Sequence, residues 1–125
     1  MLNEDGGVID DLIVYRFDRV NFRMVVNAAT RDKDLAWIRN RAQAYDVRVN
    51  ERTELAMLAV QGPAARQLSA PLIEGLWRQQ ALELPPFTAM YAGELFVART
   101  GYTGEDGFEI VLPAEQARAA WDRLR

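Results

Sequence analysis

The feature that most constrains the fold is an apolar alternation that runs through Leu95, Phe96 and Val97 and breaks at Arg99-Thr100-Gly101-Tyr102-Thr103-Gly104-Glu105-Asp106-Gly107. It resumes at Phe108, Ile110 and Leu112. Alternation with a period of two marks strands, so two strands flank a loop that carries glycine at 101, 104 and 107. Glycine permits positive φ or close approach of another group to the backbone, while Tyr102, Glu105, Asp106 and Glu109 add an aromatic face and carboxylates. The stretch reads either as an ordinary glycine-rich hairpin loop or as a place where a ligand is held.

The same reasoning extends along the chain. Val8 to Tyr15 is rich in β-branched residues and interrupted by Asp10-Asp11, which a strand would turn to opposite faces, so one carboxylate must lie beside apolar neighbours. An unpaired buried carboxylate is costly, and such a group sits at a strand end, accepts hydrogen bonds or faces a ligand. After a turn at 17–21, Phe22 to Asn27 predicts an antiparallel partner, and setting Arg16 opposite Phe22 sets Asp11 opposite Asn27 on one face. Thr30 with Asp32 and Asp34 signals a helix over 31–44, with Leu35, Trp37, Ile38 and Ala42 inward.

A short strand at 46–49 and an apolar one at 55–60 follow. Pro63 and Pro71 each suit the first position of a helix, Ala92-Gly93 a tight turn between strands, and Pro113 the start of a last helix. The order β-β-α-β-β-α-α-β-β-β-α predicts an α+β fold, a mainly antiparallel sheet with helices packed on one face. With 125 residues, half of them hydrophobic, one compact domain is expected.

Composition narrows the chemistry. There is no cysteine and no histidine, so disulfides, thiolate metal sites, thiol nucleophiles and the commonest general base are excluded. A net charge of −3 draws no polyanion to the surface, and Arg16, Arg19 and Arg23 read as solvated residues of a hairpin, so nucleic acid is not an expected partner. No apolar run reaches the about 20 residues of a membrane span and the N-terminus is acidic, which predicts a cytoplasmic protein with no membrane partner. Gly101 to Gly104 has the G-x-x-G form of some RNA-binding loops, but acids rather than basic residues follow it. Asp10, Asp11, Glu105, Asp106 and Glu109 are of the type that holds a hard cation, although their spacing fits no EF-hand loop, and no metal is expected. The third reading is a small-ligand pocket in which a carboxylate meets adjacent N–H donors and an aromatic ring covers a flat heterocycle.

Four segments in order, Gly6 to Val14, Val25 to Thr30 with Lys33-Asp34-Leu35, Leu58 to Pro63, and Thr100 to Glu109, strongly resemble the tetrahydrofolate-dependent aminomethyltransferases, the T-proteins of the glycine cleavage system. The resemblance spans nearly the whole chain but only an internal part of the longer family enzymes. It implies a partial folate-binding domain over 1–125, with the N-terminal portion and C-terminal domain of the family absent and an incomplete pocket. The reaction it implies releases ammonia from an aminomethyl group on the lipoyl arm of the H-protein. The one-carbon unit passes to tetrahydrofolate, a co-substrate, as 5,10-methylene-tetrahydrofolate.

Residue by residue, Asp11 matches the family's catalytic aspartate, Asn27 a pocket residue, Tyr102 the tyrosine beside the folate and Glu109 the glutamate that binds the pterin. Glu105 and Asp106 are read as turn and solvent residues. The alternative is a non-catalytic folate-binding module, related to iron–sulfur assembly proteins or to the folate domains of sarcosine and dimethylglycine oxidases.

Overall fold

The computed structural model describes residues 1–101 and 104–125, so Tyr102 and Thr103 lie outside the described residues. Its elements are antiparallel sheets with helices, an α+β fold, arranged in two compact units, Met1–Glu51 and Arg52–Arg125.

The first unit is built on a hairpin. Strand β1 (Ile13–Arg16) pairs antiparallel with β2 (Phe22–Val25), with Arg16 opposite Phe22 and Ile13 opposite Val25, the register that the turn length predicts. Asp18 makes the turn: its carboxylate accepts the backbone N–H groups of Val20 and Asn21 at 2.7 and 2.8 Å and the Asn21 side-chain amide at 2.7 Å. A short polar side chain that satisfies its own turn in this way is why aspartate suits the position. The strand is shorter than the apolar pattern predicts, because Val8 pairs only in an isolated bridge with Leu2 and 9–12 run on as irregular chain.

Helix α1 covers Arg31–Ala42. Thr30 stands at its N-cap without a side-chain capping bond, its hydroxyl instead donating to the Asn27 carbonyl at 3.2 Å. Leu35, Trp37, Ile38 and Ala42 are half-buried, and the one fully buried residue of the helix is Asp34. The strand expected at 46–49 does not form. The chain is exposed there, and the Val47 N–H bonds back to Tyr45 O at 2.9 Å, so a local turn takes the donor that a ladder would need.

The second unit is a four-stranded antiparallel sheet in the order β3-β6-β5-β4, from β3 (Leu55–Gln61), β4 (Ala89–Ala92), β5 (Leu95–Thr100) and β6 (Gly107–Pro113). One face carries Val97, Phe108 and Ile110 into a core with Leu72, Ile73 and Ala81, and burial of each large side chain stabilises by roughly 2–3 kcal/mol. Short helices α2 (Ala65–Ser69) and α3 (Trp77–Leu82) and the C-terminal α4 (Ala117–Leu124) contact the sheet, with Ala120 and Leu124 packed on that core. Pro71 lies in a tight 3-10 turn, Ala70–Leu72, rather than opening the longer helix that its position suggests. Among the described residues, no helix is long and apolar enough to cross a membrane.

Candidate functional site

In the first unit the polar centre is Asp10, only 7% exposed. Its carboxylate accepts the Asn27 backbone N–H at 3.2 Å and the Asn27 side-chain amide at 2.9 Å, and the same amide donates to the Asp11 carbonyl at 3.0 Å. The hairpin register places Asn27 beside the paired aspartates, and its two ends are tied by one residue. The sequence expectation that the Asn27 amide meets the Asp11 carboxylate is corrected here. It is Asp10 whose carboxylate turns inward, while Asp11 lends its backbone and leaves its side chain exposed. The Asn27 side-chain donor, with the backbone N–H adding to it, favours charge on Asp10 and lowers its pKa from 3.8 to about 2 against the opposing effect of desolvation.

In the second unit the opposite face of the sheet holds Glu109. Cross-strand pairing sets Ala59 on one side of it and Ala98 on the other, and Ala89 lies beyond Ala98 in the same row. The carboxylate is half-buried between these small neighbours, and its Oε2 is buried with no hydrogen-bond partner among the described residues. Burial pushes the Glu109 carboxyl up from its ordinary value. One row along, Gln61 faces Gly107, with its amide 3.4 Å from the Thr100 hydroxyl and its Oε1 also buried and without a partner among the described residues. Gly107 is required by close approach, because a Cβ there would lie 2.3 Å from Val60 O and 2.8 Å from the Gln61 amide. Gln61 escaped the sequence reading, which gave it no role beyond its place in the Leu58 to Pro63 segment.

The loop between β5 and β6 is anchored by Asp106, read from sequence as a turn and solvent residue. Its carboxylate instead accepts Arg66 Nε at 2.6 Å and Arg99 Nε and Nη2 at 2.9 and 3.1 Å, while its carbonyl accepts the Gly62 N–H at 2.9 Å. Both arginines also reach main chain, Arg66 to Leu82 O at 2.7 Å and Arg99 to Leu84 O at 2.8 Å. The two guanidiniums hold the Asp106 carboxyl below the usual carboxylate range, Arg99 contributing most. Tyr102, the aromatic expected beside a ligand, falls outside the described residues.

A sheet face with an unpaired carboxylate among small side chains suits a flat ligand bearing N–H donors. Across the described residues no group of three or more acidic side chains is arranged to hold a metal ion. The structure is similar to the glycine cleavage system aminomethyltransferase T from Bartonella henselae, with a TM-score of 0.85 and 37% sequence identity over 99% of this chain. The chain spans 33% of the length of that relative. Its sequence matches the family described as GCVT N-terminal domain across residues 1–125. With residues 1–125 of the chain matched to the family and the fold shared with a solved aminomethyltransferase, the chain belongs to the GCVT N-terminal domain family.

Proposed function

We propose that the chain forms part of the tetrahydrofolate site of a glycine cleavage aminomethyltransferase, one partial folate-binding domain over residues 1–125. The observation that supports this reading is the desolvated Glu109 carboxylate, with Oε2 unpartnered among the described residues and Ala59 and Ala98 beside it on the sheet. A pterin ring presents a ring N–H beside an amino group, and a carboxylate accepts two such parallel bonds. Glu109 would orient the pterin edge on, and the alanines would leave room for its plane. Tyr102 is the proposed cover, since a phenol ring shields apolar surface while its hydroxyl stays able to donate.

Tetrahydrofolate, when bound, supplies the nitrogens that take up the one-carbon unit. Asp11 would hold the reacting groups in line and stabilise positive charge as the amine leaves, which is positioning and electrostatics rather than covalent catalysis. Asn27 supports it by fixing the Asp11 carbonyl and the Asp10 carboxylate. The aminomethyl donor would arrive on the lipoyl arm of the H-protein, a partner drawn from the family. The test is a calorimetric titration of tetrahydrofolate into the full-length protein and into this chain, with Glu109→Gln beside each. Binding by the longer wild-type protein, weakened at least tenfold by Glu109→Gln, is expected. No binding by the full-length wild type, or binding unmoved by Glu109→Gln, would overturn the reading.

A further inference from the structure

Strands β3, β6 and β5 set three residues in a row on one sheet face, Gln61 opposite Gly107 and Gly107 opposite Thr100. The row beside it is Ala59, Glu109 and Ala98. Residues two apart along a strand share a face, so Gln61 and Glu109 are diagonal neighbours, about 7–8 Å apart and within reach of one another's long side chains. Gly107 has no side chain, and the Gln61 amide takes up the room: a Cβ on Gly107 would lie 2.8 Å from both Cδ and Oε1 of Gln61. On the far side the amide nitrogen meets the hydroxyl of Thr100 at 3.4 Å, and Thr100 is only 3% exposed. The amide is thus laid over a bare backbone and tied to a buried anchor.

Gln61 Oε1 and Glu109 Oε2 are the two side-chain oxygens of the second unit that are buried with no hydrogen-bond donor among the described residues. A buried acceptor without a donor weakens a fold, and a pair of them on adjacent rows of one face fits a ligand that brings the donors. We propose that Gln61 is a specificity-determining residue of the Glu109 site: its Oε1 accepts an N–H of the same flat ligand and favours a reduced ring over its oxidised form. The inference rests on the tetrahydrofolate reading given above and deepens it. Glu109 matches the ring N–H and amino group of a pterin, donors that the reduced and oxidised rings both carry. The reduced ring adds N–H groups at nitrogens that are bare acceptors in the oxidised one. Against Oε1 a bare nitrogen leaves both acceptors unpaired, the mismatch by which a hydrogen-bonding site discriminates most strongly. Thr100 keeps the amide nitrogen engaged, so the oxygen is the atom offered to the ligand.

The test uses the full-length protein as wild type, Gln61→Met, and Gln61→Met combined with Thr100→Val. Methionine keeps the unbranched shape and removes the acceptor, and the second change removes the hydroxyl that the first leaves alone. Calorimetric affinity for tetrahydrofolate should fall about tenfold in both variants, while that for folic acid, measured by displacement of tetrahydrofolate, should change less than threefold. Without ligand, the urea midpoint of the double variant should equal or exceed that of wild type, because a buried acceptor with no partner has been replaced by an apolar group. An unmoved tetrahydrofolate affinity, or equal losses for the two ligands, would overturn the proposal. A double variant less stable than wild type would assign Gln61 to holding the sheet and overturn it as well. Weakening by Glu109→Gln without weakening by the Gln61 variants would sink this inference alone, whereas a wild type that binds no tetrahydrofolate would remove the folate reading and this inference with it.

Discussion

Asp106→Ala removes the shared partner of Arg66 and Arg99. The arginine side chains are 15% and 22% exposed and that of Asp106 37%, so the cluster lies between a surface pair and a buried one. An exposed ion pair is worth about 0–1 kcal/mol after screening, while breaking a buried pair costs about 3–5 kcal/mol because a charge is left uncompensated. Each guanidinium keeps a bond to a carbonyl, Leu82 O or Leu84 O, which limits the penalty. The expected loss is therefore about 3 kcal/mol, with a fall in Tm of roughly 10 °C for a domain of this size. Urea and thermal unfolding followed by circular dichroism measure it, and Arg66→Ala and Arg99→Ala complete double-mutant cycles whose coupling should approach about 1–2 kcal/mol for each pair. The sign with pH follows from the lowered Asp106 value: the stabilisation is complete above the ordinary 3.8 and disappears as pH falls through the lower folded value. Asp106→Asn should flatten that acid limb. A loss under about 1 kcal/mol, or an acid limb unchanged in Asp106→Asn, would refute the claim that this carboxylate clamps the loop.

Gly107→Ala puts a methyl within 2.3 Å of Val60 O, so β3 and β6 must part locally, and a loss of about 2–4 kcal/mol in urea unfolding is expected. A variant as stable as wild type would mean that the two strands are not held this closely. Because burial raises the Glu109 carboxyl, the proposed tetrahydrofolate affinity should weaken as pH falls through that raised value, before free carboxylates titrate. Calorimetry in Glu109→Gln should lack this dependence, and a dependence that persists would assign it to another group. Asp11→Asn in the full-length protein should lower kcat by about a hundredfold or more with little change in folate affinity, and equal losses in both would remove Asp11 from the chemistry.

The sheet around the glycine loop was legible because its evidence is local. The alternation on either side of Gly101 to Gly107 has a period of two, and it reappears as β5 paired with β6, Thr100 facing Gly107. The register of β1 and β2 was legible for a similar reason, since the turn at Asp18 sets it. What failed depended on partners far along the chain. Val47 and Val49 carry strand propensity, but among the described residues no strand takes up their backbone. A period of two says that Asp10 and Asp11 diverge, yet not which turns inward; the choice lies with Asn27, brought in by the hairpin. Asp106 looked like a turn residue because Arg66, forty positions away, leaves no local mark beside it. Glu109 and Asp11 were named through family resemblance, while Gln61 becomes visible only once its pairing with Gly107 is known.

The strand order also has a consequence for how the chain is made. Strand β6 lies between β3 and β5, pairing Leu55 with Pro113 on one side and Phe96 with Val111 on the other. As the chain leaves the ribosome, β4 and β5 can join as a hairpin at once, whereas β3 waits with no partner strand in its own sheet until β6 has been made. Long-range pairing of this kind is slow, and an unpaired apolar edge invites association with other chains. Of the four strands of this sheet, β6 is thus the last to be made, and it brings Glu109 with it. The face that bears Glu109 and the core behind it therefore come together in a single late step among these four strands.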